Sequence, residues 1–133
     1  GLSSAASDVY KSQSVNALGE RSGNASLDEV VVSLMALYGL KTNIRFKKLE
    51  EVSSLVQRLS GYMLAPGKAL TGQNTFTRES GIGIDMLYEH PLAMFSIAPE
   101  FVGNHPRVVL GKKSGATSIR VKLEEHGLEL PLV

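Results

Sequence analysis

The sequence predicts a mainly α-helical fold with one or two short strands. Apolar residues recur at helical spacing at residues 28–38 and 47–60, and a third such stretch follows Ser114. Two brief apolar runs, at residues 14–18 and 108–110, are short enough for a strand. Glycines and prolines interrupt the chain between these stretches, so we expect short elements joined by irregular connections.

The first predicted helix begins after Ser26, which has the spacing of a capping box with Glu29. Gly39 is placed to end this helix. The strand at residues 14–18 precedes it, and because a strand needs hydrogen-bonded neighbours, we expect it to pair with strands outside this chain. The buried face of the helix is expected to contain Val30, Val31, Leu34, Leu37 and Tyr38.

The second helix, at residues 47–60, has one apolar face and is expected to end at Gly61. The connection that follows is rich in glycine and polar residues and is expected to be irregular. A short helix is predicted at residues 84–89, and Pro91 is suited to begin another helical turn.

Ser114 is predicted to cap the last helix, and Gly127 is predicted to end it. Residues 128–133 form an apolar tail that needs a partner surface. At the other end, residues 1–13 are polar, with a short helix predicted at residues 5–11.

Composition narrows the classes of function. The net charge is +1 and the Lys and Arg residues are scattered, which argues against nucleic acid or an anionic membrane as a partner. The absence of cysteine excludes disulfides and thiolate metal sites. The first ten residues lack the pattern of a signal peptide, and no apolar run is long enough to span a bilayer, so a cytoplasmic protein is expected.

The stretch at residues 15–24 is the most informative about chemistry. It gathers four polar side chains around a turn between strand and helix, which is the catalytic face in barrel enzymes: Asn16, Glu20, Arg21 and Asn24. The side-chain carbonyl of Asn24 can ligate a hard divalent metal. Spacing alone favours the plainer alternative, an ordinary turn with Glu20 and Arg21 in solvent.

Two further stretches leave alternatives open. Residues 72–82 alternate glycines and polar groups, as in a loop over a site or a plain surface loop. Residues 110–115 place two lysines before a helix, where they can hold a phosphate or be solvated. The three histidines show no ligand spacing: His90, His105 and His126.

Taken in order, these segments resemble the 2-isopropylmalate synthase, homocitrate synthase and citramalate synthase family of metal-dependent TIM-barrel acyltransferases. Residues 15–24 match the family stretch Val-Asn-Gly-Leu-Gly-Glu-Arg-Ala-Gly-Asn except at Ala17 and Ser22. The resemblance covers about residues 14–127. Three later blocks follow the family in the same order: residues 64–82, 99–103 and 109–115.

The resemblance implies the last βα unit of a TIM barrel followed by small helical subdomains. Residues 1–40 would be the last strand and helix of the (β/α)8 barrel, and residues 41–133 the post-barrel helical subdomains. The other strands, with the remaining metal ligands, would come from a barrel-bearing partner subunit or from the missing N-terminal part of the same chain. A higher oligomer is expected.

The implied activity belongs to amino-acid biosynthesis and needs that barrel: condensation of an acyl-CoA with a 2-oxo acid to a 2-hydroxy diacid. A divalent Mg, Mn or Zn ion, shared with the barrel, would have Asn24 as one ligand. The implied catalytic residues are Glu20 and Arg21, and the expected substrate-binding residues are Asn16, Glu79 and Ser80. Tyr88 and His90 are further catalytic candidates, as replacements for family residues that this chain lacks.

The chain departs from the family pattern at three positions. Arg78 and Gly83 stand where the family has histidines, and Met94 stands where many synthases have a tyrosine. Because that second histidine and the tyrosine are linked to proton transfer on the acyl-CoA, two alternatives stay open. One is a carbon–carbon lyase or aldolase of the same superfamily, and the other is a non-catalytic regulatory or structural subunit of a barrel partner.

Overall fold

The computed structural model describes residues 13–128, and this region is mainly α-helical. The helix predicted at residues 5–11 and the tail at residues 129–133 lie outside the described residues. No helix within residues 13–128 has the length and apolar character needed to cross a membrane. The α-helices are α1 (Leu27–Tyr38), α2 (Leu49–Ser60), α3 (Ile84–Glu89), α4 (Pro91–Met94) and α5 (Ala116–Glu125).

Four strands of two residues each occur within residues 13–128, where one or two were predicted. They form two parallel pairs, in which β1 pairs with β2 and β3 pairs with β4. A two-residue strand is too short to show an alternating pattern in the sequence, which explains the undercount. The strands are β1 (Gln13–Ser14), β2 (Ala25–Ser26), β3 (Thr77–Arg78) and β4 (Arg107–Val108).

The strand predicted at residues 14–18 is wrong beyond Ser14. Val15–Ala17 form a 3-10 turn in which Asn16 and Ala17 have φ angles of 61° and 56°. These positive angles lie outside the extended region, so the chain turns away from the strand direction. The strand also has a neighbour inside the chain, since β1 is hydrogen-bonded to β2.

The predicted helix ends at Gly39 and Gly61 are confirmed, and both glycines adopt the left-handed conformation. The short helix predicted at residues 84–89 and the helical start at Pro91 are confirmed as α3 and α4. The predicted capping box of α1 does not form, because the hydroxyl of Ser26 donates to the carboxylate of Asp28.

The cap predicted at Ser114 is also wrong, because α5 begins one residue after Gly115. The Ser114 hydroxyl instead donates to the carbonyl of Glu79 and accepts from the N–H of Gly111, both at 3.0 Å. Gly127 does end this helix in a left-handed conformation, as predicted.

Two hydrophobic clusters form the core. The first joins α1 and α2 to the loop at Phe76 and to the 3-10 helix Pro99–Val102, and the second joins α3 to β4. The ring of Phe95 packs against both clusters and meets Phe76 edge-on at a centroid distance of 5.2 Å. The fully or nearly fully buried residues of the two clusters are Val31, Val32, Leu49, Phe76, Ile84, Leu87, Val102 and Val108.

Candidate functional site

Asn16 anchors the turn at residues 15–24 to α2. Its side chain is buried, and its amide nitrogen donates to the carbonyl oxygen of Ser53 at 2.9 Å. The Ser53 hydroxyl donates back to the amide oxygen of Asn16 at 2.5 Å. This two-way bond, together with the left-handed backbone of Asn16, fixes where the turn leaves the strand. Any contact between Asn16 and a substrate must use its second amide N–H or its remaining lone pair.

Glu20 and Arg21 lie at the exposed tip of the same turn. Their side chains are 90% and 88% exposed, and the nearest nitrogen–oxygen distance between them is 3.8 Å. An ion pair this exposed contributes little to stability. Both side chains are therefore free to reorient towards a ligand or another protein surface.

Asn24 closes the turn and lies over Gly19, where a side chain would collide with the Asn24 amide. Asn24 is half-buried and lines a shallow concavity on the outside of α1, together with Ala17 and Glu29. An amide oxygen is a suitable donor for a hard divalent cation, but such ions need several further oxygen or nitrogen ligands. Within residues 13–128 no group of three or more His, Asp or Glu side chains could hold a metal ion. The role of Asn24 as a metal ligand stays a prediction.

A second concavity of about 560 Å³ lies beside the first and is open to solvent on one side. The tip of the turn forms one wall, and residues 62–65 form the other. Ala17 and Lys68 border both cavities, and Asn24 lines the first while Glu20 and Arg21 line the second.

The structure reveals a buried charge network that the sequence reasoning missed. The ammonium of Lys68 lies 2.6 Å from the carboxylate of Asp28 and 3.2 Å from that of Glu29. The Thr71 hydroxyl donates to the same Asp28 oxygen at 2.8 Å. Lys68 is the only charged residue between Arg58 and Arg78. This isolated charge is the signal in the sequence that could have pointed to the network.

This network sets the protonation of Asp28. Burial by itself would raise the pKa of Asp28, but hydrogen bonds from Lys68, Ser26 and Thr71 outweigh it and hold the pKa below its ordinary value. Asp28 is therefore a carboxylate at neutral pH. It ties the start of α1 to the connection that follows α2, which positions Lys68 at the border of both cavities.

We predict that the Asp28→Asn variant loses about 2 kcal/mol of unfolding free energy at neutral pH, because a charged hydrogen-bond network is broken. Since the folded-state pKa lies below the unfolded one, the contribution of Asp28 is full at neutral pH and is lost as the pH falls below about 4. Urea unfolding at a series of pH values measures this. The difference in unfolding free energy between the native protein and the variant should become smaller at acid pH.

The matched control is Asp85→Asn, which removes an exposed carboxylate that lies 3.7 Å from Arg120. This control should change stability by less than about 0.5 kcal/mol at any pH. If the difference in unfolding free energy between the native protein and Asp28→Asn stayed constant from neutral to acid pH, the lowered pKa of Asp28 would be contradicted.

Glu79 and Ser80, the predicted substrate-binding pair, lie beside the loop that leads into α5. The carboxylate of Glu79 accepts a hydrogen bond from the backbone N–H of Lys113 at 3.1 Å. It also packs against Gly111, where a side chain would overlap it. The Glu79 carboxylate therefore occupies the position beside the backbone N–H of Lys113. A phosphate held by residues 110–115 would need the same position. The Ser80 hydroxyl accepts a bond from the N–H of Ile82 at 3.4 Å.

Tyr88 and His90, the remaining predicted catalytic residues, are on or just after α3. Partial burial and the hydrogen bond to Glu125, at 3.1 Å, raise the pKa of Tyr88 to about 12. The phenol is therefore protonated at neutral pH and suited to donate a hydrogen bond. His90 is exposed between α3 and α4, where its carbonyl accepts from the N–H of Ala93 at 2.9 Å.

Comparison with protein families and curated proteins gives consistent matches. Residues 70–132 match the family described as "Homocitrate synthase post-HMGL domain-like". The chain is 47% identical over 116 residues to a 2-isopropylmalate synthase of Methanocaldococcus jannaschii, covering 87% of this chain and 22% of that protein. It is 46% identical over 116 residues to the (R)-citramalate synthase CimA of the same organism, covering 87% of this chain and 24% of that protein.

A 2-isopropylmalate synthase of Sulfurisphaera tokodaii is 47% identical over 116 residues, covering 87% of this chain and 30% of that protein. The chain thus spans about a quarter of the length of the curated relatives it matches.

Proposed function

We propose that this chain, which belongs to the 2-isopropylmalate and citramalate synthase family as its C-terminal region, completes the active site of an enzyme that condenses an acyl-CoA with a 2-oxo acid. The product is a 2-hydroxy diacid. Residues 1–40 act as the last strand and helix of a TIM barrel, and residues 41–133 as the helical subdomains after it. The other strands belong to a barrel-bearing partner or to a longer form of the same chain, in a higher oligomer.

The observation that carries this proposal is the concave surface around the turn at residues 15–24. The exposed Glu20 and Arg21 and the half-buried Asn24 border adjoining cavities whose shared rim contains Lys68. These are the residues that match the most specific block of the family pattern. They lie on a rigid support, because Asn16 is bonded to α2 and Asp28 to Lys68.

In the proposed reaction a proton leaves the carbon next to the thioester of the acyl-CoA, and that carbon bonds to the ketone carbon of the 2-oxo acid. The ketone oxygen takes up a proton and becomes the 2-hydroxyl group of the product. Water then cleaves the thioester and releases free CoA. A divalent Mg, Mn or Zn ion, held by Asn24 together with ligands of the barrel, would polarise the ketone. In this proposal Arg21 turns towards an anionic substrate group and pairs with it, and Glu20 orients Arg21 once the ligand is bound.

Carbon–carbon cleavage by a lyase of the same superfamily is the second candidate. It is favoured by Gly83 and Met94, which stand where the family has a histidine and a tyrosine, because neither residue carries an ionisable group. Detection of free CoA thiol from an acyl-CoA and a 2-oxo acid distinguishes condensation from cleavage. If the barrel were equally active without this chain, the chain would be a structural or regulatory subunit.

The Asn24→Ala variant tests the proposed metal site. In the enzyme assembled with its barrel, we expect the affinity for a divalent ion to fall by more than about tenfold, because one ligand is removed. Titration calorimetry with Mn²⁺ measures the affinity without turnover, and thermal unfolding checks that the variant stays folded.

Asn43→Ala provides the control, since Asn43 is an exposed asparagine between α1 and α2. It should leave the metal affinity within about twofold of the unmodified enzyme. Equal metal affinities in Asn24→Ala and the unmodified enzyme would rule out Asn24 as a ligand.

A further inference from the structure

Both walls of the second concavity are attached to the same helix, α2. The wall formed by the tip of the turn is joined to α2 by the two-way bond between Asn16 and Ser53. The opposite wall, residues 62–65, is joined to α2 where the N–H of Leu64 donates to the side-chain oxygen of Gln57 at 2.9 Å. Ser53 and Gln57 are four residues apart, so they lie one helical turn apart on one face of α2. The helix therefore sets the separation of the two walls.

The two walls differ in chemical character. The tip of the turn presents Arg21 and Glu20, whose side chains are 88% and 90% exposed. The opposite wall presents an aromatic ring and a thioether, since Tyr62 and Met63 line the concavity and are 59% and 72% exposed. Lys68 also borders the concavity, but it is 12% exposed and its ammonium is paired with two carboxylates. Arg21 is therefore the exposed cation of this concavity, and it faces an aromatic wall.

The backbone that carries these side chains is fixed on both sides. Ala17, at the border of the concavity, has a φ of 56°, a left-handed conformation that is unfavourable for an alanine and is typical of ligand sites when the surroundings maintain it. The N–H of Tyr62 donates at 3.1 Å to the hydroxyl of Ser60, which itself donates to the carbonyl of Val56 at 2.7 Å. The walls are thus ordered before any ligand binds, which lowers the entropic cost of binding.

We propose that the second concavity holds the adenosine diphosphate part of the acyl-CoA, with the purine ring against Tyr62 and Met63 and the phosphates at Arg21. Aromatic and thioether side chains pack on the flat face of a base, and a guanidinium binds phosphate oxygens in bidentate fashion. Because Glu20 offsets the charge of Arg21, a bare anion gains little here, and a ligand needs both the ring and the phosphates. This assignment rests on the proposed condensation, and it leaves the first concavity, lined by Asn24, to the 2-oxo acid.

The test is a calorimetric titration of the 133-residue chain with ADP, adenosine and inorganic phosphate as separate probes. We expect ADP to bind at least about tenfold more tightly than adenosine or phosphate, because it uses both walls. Tyr62→Ala and Arg21→Gln should each weaken ADP binding by about tenfold, through the loss of stacking and of a phosphate contact respectively. Tyr62→Phe keeps the ring, so its affinity for ADP should stay within about threefold of that of the unmodified chain.

Tyr38→Ala and Arg58→Gln are the matched controls, because both side chains are exposed and neither lines the second concavity. Each should change the affinity for ADP by less than about threefold, and circular dichroism checks that every variant is folded. Three results would overturn the proposal. They are a loss in Tyr62→Ala no larger than that in Tyr38→Ala, adenosine or phosphate binding as tightly as ADP, and no binding of ADP at about 10 mM to the folded chain.

Kinetics of the enzyme assembled with its barrel separate this inference from the proposed condensation. Tyr62→Ala should raise the KM for the acyl-CoA by about tenfold and leave kcat within about twofold, because the ring binds a part of the substrate that does not react. Condensation with an unchanged KM would refute the nucleotide site and leave the proposed function standing. Binding of ADP as expected, in an assembled enzyme that releases no CoA thiol, would refute the condensation and leave the nucleotide site standing.

Discussion

Replacing Lys68 with methionine is expected to lower the free energy of unfolding by about 3 kcal/mol, because it leaves the carboxylate of Asp28 buried without its cation. The side chains of Lys68 and Asp28 are only 12% and 6% exposed, so water cannot take over the role of the ammonium. Methionine keeps much of the volume of the lysine stem, which limits the effect of lost packing. Urea unfolding followed by circular dichroism measures the change.

Lys48→Met is the control for this experiment. Lys48 pairs with Glu51 on the surface, with side chains 56% and 66% exposed, so its loss should cost less than about 0.5 kcal/mol. The double variant Lys68→Met with Asp28→Leu should recover part of the stability, because the charge that is left without its partner, on Glu29, is 47% exposed rather than buried. A Lys68→Met variant as stable as Lys48→Met would contradict a structural role for the network.

The Gly72→Ala variant is expected to lose about 3 kcal/mol, since its new methyl group would collide with the backbone of the connection after α2. A Cβ at Gly72 would lie 2.6 Å from the nitrogen of Lys68 and 2.7 Å from the carbonyl oxygen of Pro66, with the Lys68 carbonyl closer still. Backbone atoms cannot rotate away as a side chain can, so the loop itself must shift. The N–H of Gly72 would then lose its 3.0 Å bond to the Lys68 carbonyl.

Gly67→Ala in the same loop offers the comparison, because nothing lies within 4 Å of a Cβ at that position. We expect its stability to stay within about 0.5 kcal/mol of the native value. Thermal unfolding of both variants side by side provides the measurement. Similar melting temperatures for the two alanine variants would show that the close approach around Gly72 does not constrain the loop.

The helices were predictable because their signals are local, but the predicted buried face of α1 was wrong at Leu37 and Tyr38, which are 75% and 73% exposed, while Val32 is buried. The apolar periodicity of α1 and α2, and the glycines that end them, lie within a few residues of the backbone they control. The helix start predicted at Ser114 failed for the opposite reason. Its hydroxyl is taken by the carbonyl of Glu79, which is 35 residues away in the sequence.

In the candidate site too, the features with local signals were predicted and those that depend on distant residues were not. The turn at residues 15–24 was identified as the informative segment from its own residues and from the family pattern. The burial of Asn16 depends on Ser53, 37 residues further on, and the environment of Lys68 depends on Asp28, 40 residues earlier. Such pairings follow from how the elements pack, and no single-sequence pattern contains them. The predicted functions of Glu20, Arg21 and Asn24 stay predictions that the experiments above address.

The contacts that hold the turn and the connection in place also interleave along the chain. The Asn16–Ser53 bond closes one loop and the Asp28–Lys68 pair closes another, and each loop contains one end of the other. Separating α2 from the turn therefore strains the loop that ends at Lys68, and releasing Lys68 loosens the attachment of α2. We therefore expect cooperativity, in which the chain from Asn16 to Lys68 opens as one unit rather than helix by helix.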